Sequence, residues 1–186
     1  MSELTELLKH WHSDDQAVQG VVVDRIYGEL RKIAGWHAAG ESAASAVQPT
    51  VLVHEAYLRL SQLDRIEWKS KTHFLAMAAK AMRQYLVDES RRRAAGKRDG
   101  GIQVTLSDPA VREDMPKTDM LALNEALERL AKADPERALL VELRFFGGLT
   151  VEETADALGK SPATVKRSWQ VARAWLFREM SAGDIT

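Results

Sequence analysis

Apolar residues recur along most of this chain at spacings of three and four, the pattern of helices that bury one face. Leu4, Leu7, Leu8 and Trp11 make a short amphipathic set, closed by Ser13-Asp14-Asp15, whose side chains suit the cap of a second helix. That helix is predicted from about Gln16 to Ala38, with Val18, Val22, Ile26, Leu30 and Ile33 at near-helical spacing. Residues 40–46 are small and polar and read as a loop. Gln48-Pro49-Thr50 opens a third helix with Val53, Tyr57 and Leu60 on one face. Ser70 or Thr72 begins a long fourth helix carrying Phe74, Ala78, Ala81 and Tyr85. No strand-like alternation exceeds Gln103 to Leu106.

The pattern changes at about residue 96. Gly96, Gly100, Gly101, Pro109 and Pro116 interrupt any long helix, and Asp and Lys fill the gaps. So long a structureless stretch is unusual inside one compact domain and predicts a linker. Helical spacing then resumes, from about Asp119 to Ala131, from Pro135 to Phe146, and in two further helices after Gly148. The expected fold is all-α, with two small helical domains (1–95 and 118–186) joined by a flexible linker over 96–117.

Composition bounds the function without naming it. The chain has 186 residues, 45% hydrophobic and 28% charged, enough for one medium domain or two small ones. The formal net charge of −1 conceals a sorted distribution. Residues 80–98 carry seven bases against two acids, and residues 160–178 carry five bases and no acid. Residues 107–136 are acidic, with eight acids and four bases. A single basic run is usually a solvated face, but two of them, one in each domain, point to a polyanion bound across both. The absence of cysteine excludes disulfides and cysteine-ligated metals. No stretch approaches the roughly 18 apolar residues of a membrane span. Met1-Ser2-Glu3-Leu4 lacks the character of a signal peptide, so a cytoplasmic protein without membrane contact is expected.

The C-terminal third holds the sharpest local signal. Thr150 answered by Glu153 is a capping box for a short helix ending at Gly159. Ser161 then caps a further helix whose first position is Pro162. Helix, glycine turn and capped helix make a helix-turn-helix, whose second helix enters the major groove of DNA. At about 100° per residue Val165, Trp169, Ala172 and Leu176 would pack inward. Ala163, Lys166, Arg167 and Gln170 face the other way, with Arg173 at the edge. Ala163 permits close approach, Arg167 and Gln170 can read base edges, and Lys166 and Arg173 can hold phosphates. Ser161 and Thr164 complete the candidate set. An ordinary helical hairpin with a polar outer face is the plainer alternative.

These residues resemble the bacterial RNA polymerase sigma factors of the extracytoplasmic-function (ECF) type. Leu143-Arg144-Phe145-Phe146-Gly147-Gly148-Leu149-Thr150, followed by the helix-turn-helix through Thr164-Val165-Lys166-Arg167, is similar to that family's promoter −35 binding domain. Val53-His54-Glu55-Ala56-Tyr57-Leu58-Arg59-Leu60 resembles the helix that docks on the beta-prime clamp of the polymerase. Phe74 through Arg93 resembles the helix that opens and reads the −10 element. The resemblance implies RNA polymerase core and promoter DNA as partners, with the C-terminal domain resting on the beta flap. It implies −10 contacts from Lys80, Arg83, Gln84 and Arg91, where a basic groove captures single-stranded bases. Polymerase contacts would come from Gln48, Thr50, Val51, His54, Glu55 and Arg59. Trp68, just before the fourth helix, suits either the core or a base-stacking role.

One departure from the family pattern is local. ECF sigma factors carry an acidic sequence just ahead of the clamp-docking helix, and here those positions are Gln48, Pro49, Thr50 and Val51. Thr50 is either a plain helix cap or the site of a phosphorylation that restores the missing negative charge. Control by a serine/threonine kinase or by an anti-sigma factor is the corresponding expectation.

Other readings lead elsewhere. A helix-turn-helix regulator acting without polymerase would bind its promoter alone, and an RNA-binding adaptor would use Arg91–Arg93 on phosphates without sequence readout. An enzyme finds no support: His10, His12, His37, His54 and His73 show no ligand spacing, and no phosphate loop or nucleophile elbow is present. No catalytic, metal or cofactor site is expected.

Overall fold

A computed structural model describes residues 3–39, 47–63, 67–96, 101–106 and 117–183. Ten helical or strand segments and one π turn follow in order. They are α1 (Glu3–Leu8), α2 (Gln16–Ala39), α3 (Pro49–Ser61), α4 (Lys71–Ala95), β1 (Gln103–Thr105), β2 (Lys117–Asp119), α5 (Met120–Ala133), α6 (Pro135–Val141), the π turn Glu142–Phe146, α7 (Val151–Leu158) and α8 (Pro162–Gly183). The all-α expectation holds, apart from one small antiparallel ribbon of β1 and β2.

Capping chemistry sets the helix starts. Asp15 accepts the Ala17 N–H at 2.9 Å to begin α2, and Ser70 accepts the His73 N–H at 3.0 Å to begin α4. Asp119 accepts the N–H groups of Leu121 and Ala122 to begin α5. At α3 the cap is Gln48, whose side chain makes no cap hydrogen bond. Thr50 is therefore the second residue of that helix, and its reading as a plain cap is corrected. Pro49 explains the shift, because a proline is best tolerated in the first helical turn and starts the helix one residue before Thr50.

Helices α2, α3 and α4 pack around Val22, Ile26, Leu30, Ile33, Leu52, Val53, Leu60, Phe74, Ala78 and Ala81, all buried. Trp11 and Trp68 close one end of this bundle with ring centroids 5.3 Å apart, and Trp68 lies 5.4 Å from Phe74. Trp68 thus belongs to the core, and its base-stacking alternative is set aside. In the C-terminal unit α5, α6, α7 and α8 bury Leu123, Leu127, Leu140, Leu143, Val165, Trp169, Ala172 and Leu176.

The segment read as a structureless linker is ordered at both ends. Gln103, Val104 and Thr105 pair with Asp119, Thr118 and Lys117. Ile102, Val104 and Leu106 are buried, so the alternation over 103–106 marks a strand whose apolar residues join the core. Residues 97–100 and 107–116, including Lys97, Arg98, Pro109 and Pro116, lie outside the described residues, as does the loop read over 40–46. The two helical units are not apart: α4 packs directly on α5 and on the π turn.

Candidate nucleic-acid interface

The turn feeding the helix-turn-helix depends on two glycines. The Gly147 N–H donates to the Glu142 carbonyl at 2.9 Å, a five-residue step that closes the π turn, and the Leu149 N–H returns to the Leu143 carbonyl at 3.1 Å. A Cβ on Gly147 would lie 2.5 Å from the Leu143 carbonyl oxygen, so the backbone approach requires glycine. Gly148 has φ 65°, in the left-handed region. Thr150 then starts α7 through both halves of the capping box, with Thr150 Oγ1 accepting from the Glu153 N–H at 3.1 Å and Glu153 Oε2 accepting from the Thr150 N–H at 2.9 Å. Gly159 ends α7 at φ 63°, and Ser161 Oγ accepts the Thr164 N–H at 3.2 Å to begin α8.

Helix α8 presents Ala163, Lys166, Arg167 and Gln170 to solvent, while Val165 and Trp169 are buried beneath them. Ser161 is exposed at the helix start and Thr164 is half-buried, bonded hydroxyl to hydroxyl at 2.8 Å. Among the described residues neither Lys166 nor Arg167 has an acidic partner, whereas Lys160 is paired with Glu136 at 2.7 Å. Arg173 leans inward over the Trp169 ring at 6.0 Å, and Arg144 covers the same ring at 5.0 Å from a fully buried position. The Arg144 contact fixes the π turn to α8 by a cation–π attraction.

On α4 the four candidate residues do not share one open surface. Lys80, Gln84 and Arg91 are exposed. Arg83, only 13% exposed, is directed into the C-terminal unit, where Nε donates to Glu142 Oε1 at 3.0 Å and Nη1 donates to Asn124 Oδ1. Helical phase explains the separation: Arg83 lies on the same stripe as Ser90, seven residues on, and Ser90 Oγ accepts the buried Ile102 N–H at 2.9 Å. Burial pushes the Glu142 carboxyl above the ordinary carboxylate range, against the opposing pull of Arg83 and Lys80. Part of the basic run beyond is neutralised within the helix, since the nearly buried Glu89 pairs with Arg92 and with Arg93 at 2.9 Å.

A third surface lies on α3. Val51, His54, Glu55 and Leu58 fall at helical intervals of three and four on its outer side, with Val51 41% and Leu58 38% exposed. Gln48 and Thr50 are exposed beside them, and the first turn holds no acid. Arg59 instead braces the bundle, reaching Asp88 of α4 at 2.8 Å and lying over the Tyr85 ring at 5.9 Å. His54 Nδ1 lies 3.3 Å from the Tyr27 hydroxyl of α2.

Sequence reasoning missed Asn124 and Glu142. Each is a polar residue inside an apolar stripe, Asn124 among Met120, Leu123 and Leu127, and Glu142 between Val141 and Leu143. Such interruptions signal a buried polar partner, though not which one. Among the described residues no group of His, Cys, Asp or Glu is arranged to hold a metal, and no helix is long and apolar enough to cross a membrane.

These elements define an all-helical protein built around a helix-turn-helix. The family model for ECF sigma factors matches residues 1–182, and the chain belongs to that family. It is an alternative sigma factor, a transcription initiation factor whose partners are RNA polymerase core and promoter DNA. Neither curated proteins nor solved structures give a match.

Proposed function

We propose that 1–95 grips polymerase and the −10 element, that 118–186 binds the −35 duplex, and that 96–117 connects them. The observation that carries the −35 assignment is the open face of α8, where Ala163, Lys166, Arg167 and Gln170 stand together and Lys166 and Arg167 have no acidic partner among the described residues. Ser161, Thr164 and Arg173 flank that face. Lys80, Gln84 and Arg91, with Arg83 once it is released, form the basic surface for single-stranded −10 bases. The α3 stripe from Gln48 and Val51 to Leu58 meets the beta-prime clamp, and Arg59 supports it from behind.

Activation by phosphorylation of Thr50 is the finer part of this reading. Thr50 is exposed in the first turn of α3, which carries no acid and whose cap supplies no side-chain acceptor. A phosphate there would add about −1.5 to −2 charge at the positive end of the α3 helix dipole. A serine/threonine kinase is the implied partner, with an anti-sigma factor as the other route of control. Run-off transcription with core polymerase tests both parts, comparing unmodified, kinase-phosphorylated and Thr50→Ala protein. Stimulation by the phosphorylated form alone is expected. Equal stimulation by Thr50→Ala would remove the switch and leave the sigma reading intact.

A further inference from the structure

We infer that the docking of α4 against α5 and the π turn is an autoinhibitory latch, in which Glu142 and Asn124 occupy the arginine that α4 would offer to single-stranded DNA. The inference rests on the reading of α4 as the −10 helix and adds a regulation of that site. A carboxylate and an amide carbonyl present to Arg83 the same kind of acceptors as a phosphate and a base edge. With both bonds made and only 13% of the side chain exposed, Arg83 cannot meet DNA from this position. Lys80, the next base along the helix, acts electrostatically on the same Glu142 carboxylate.

The latch has the marks of a contact that can open. It contains the polar group Arg83–Glu142–Asn124 and places a carboxylate where burial disfavours its charge. Its second anchor is the Ser90–Ile102 hydrogen bond, where the chain leaves α4. A side chain on Gly101 would approach Ser90 Oγ to 2.7 Å and Asp119 Oδ2 to 2.8 Å, so that corner is tightly closed. DNA must therefore select the undocked form, and its apparent affinity falls by the undocked fraction. Polymerase or DNA that engages α4 releases the C-terminal unit by the same linkage.

The cysteine-free chain allows a clean test. A donor and an acceptor dye are placed at Asp24→Cys and Glu152→Cys, both exposed and outside the contact, and energy transfer reports docking. Binding of a random-sequence single-stranded DNA pool is measured by fluorescence anisotropy at fixed salt. Glu142→Ala and Asn124→Ala, each of which removes one of the two acceptors of Arg83, are compared separately, each checked for retained helicity. The expected result is lower transfer and DNA binding tighter by about threefold or more, with the gain removed by adding Arg83→Ala. Unchanged transfer in both variants, or lower transfer without tighter binding, would overturn the latch. In the second case Arg83→Ala separates the causes. If it weakens DNA binding equally in wild-type and undocked protein, the latch alone is wrong. If it weakens neither, the assignment of α4 to DNA is wrong.

Discussion

Arg83 of α4 donates to Glu142 of the π turn across 3.0 Å, joining residues 59 positions apart in the chain. The contact brings together the helix proposed to meet −10 DNA and the turn that precedes the helix-turn-helix. Neither residue is remarkable in its own segment; their pairing exists only in the docked structure.

The Glu142 carboxyl titrates above its ordinary range because burial outweighs Arg83 and Lys80. The folded, docked state therefore binds a proton more readily than a state with Glu142 in water. The stability this supplies is complete below the ordinary glutamate pKa and is lost as pH rises through the raised folded value. Urea unfolding between pH 7 and pH 4.5 should show wild type gaining stability relative to Glu142→Gln on acidification. A loss relative to that variant would mean the Arg83 ion pair, rather than burial, sets the carboxyl.

Gly147→Ala and Gly159→Ala should differ in cost. At Gly147 the new methyl meets the Leu143 carbonyl at 2.5 Å and the backbone must move, whereas at Gly159 nothing lies within 4 Å and only the left-handed φ is strained. Losses of about 2–3 kcal/mol for Gly147→Ala and about 1 kcal/mol for Gly159→Ala are expected in chemical denaturation. Equal losses would show that the π turn is less constrained than its hydrogen bonds imply.

Removing the Thr150 cap tests the helix-turn-helix entry. Thr150→Ala deletes the acceptor for the Glu153 N–H and should destabilise the C-terminal unit by about 1 kcal/mol. Restoration by Thr150→Ser, measured in the same melts, would attribute the loss to the hydroxyl.

On α8, Arg167→Ala and Lys166→Ala should separate reading from holding. Arg167→Ala is expected to cost about 1–3 kcal/mol and to relax preference at one or two base pairs of a selected −35 duplex. Lys166→Ala should weaken all duplexes alike and reduce the salt dependence of binding by about one ion. A selected-sequence binding assay across salt concentrations distinguishes the two, and a sequence-independent effect of Arg167→Ala would make it a phosphate contact.

Much of this architecture is local chemistry written in the chain. The Thr150–Glu153 box, Gly159 in the left-handed region, the Ser161 cap and the buried row Val165, Trp169, Ala172 and Leu176 all depend on neighbours within a few residues. Helical spacing and capping residues are enough to specify them. Thr50 required more, since its place in the second helical position follows from which residue the backbone uses as the cap.

The disposition of the two units depended on contacts between residues far apart in the chain. The charge count over 80–98 does not distinguish Arg83 from the other bases of that run, and the glycines and prolines after residue 96 predict a linker. Burial of Ile102, Val104 and Leu106 overrides those breaks, and the β1–β2 pairing draws the start of α5 beside the end of α4. Periodicity reports that a face is buried, but carries no information on what buries it. The partner of Arg83 is set by packing between distant segments, and only the folded chain brings Glu142 and Asn124 to it.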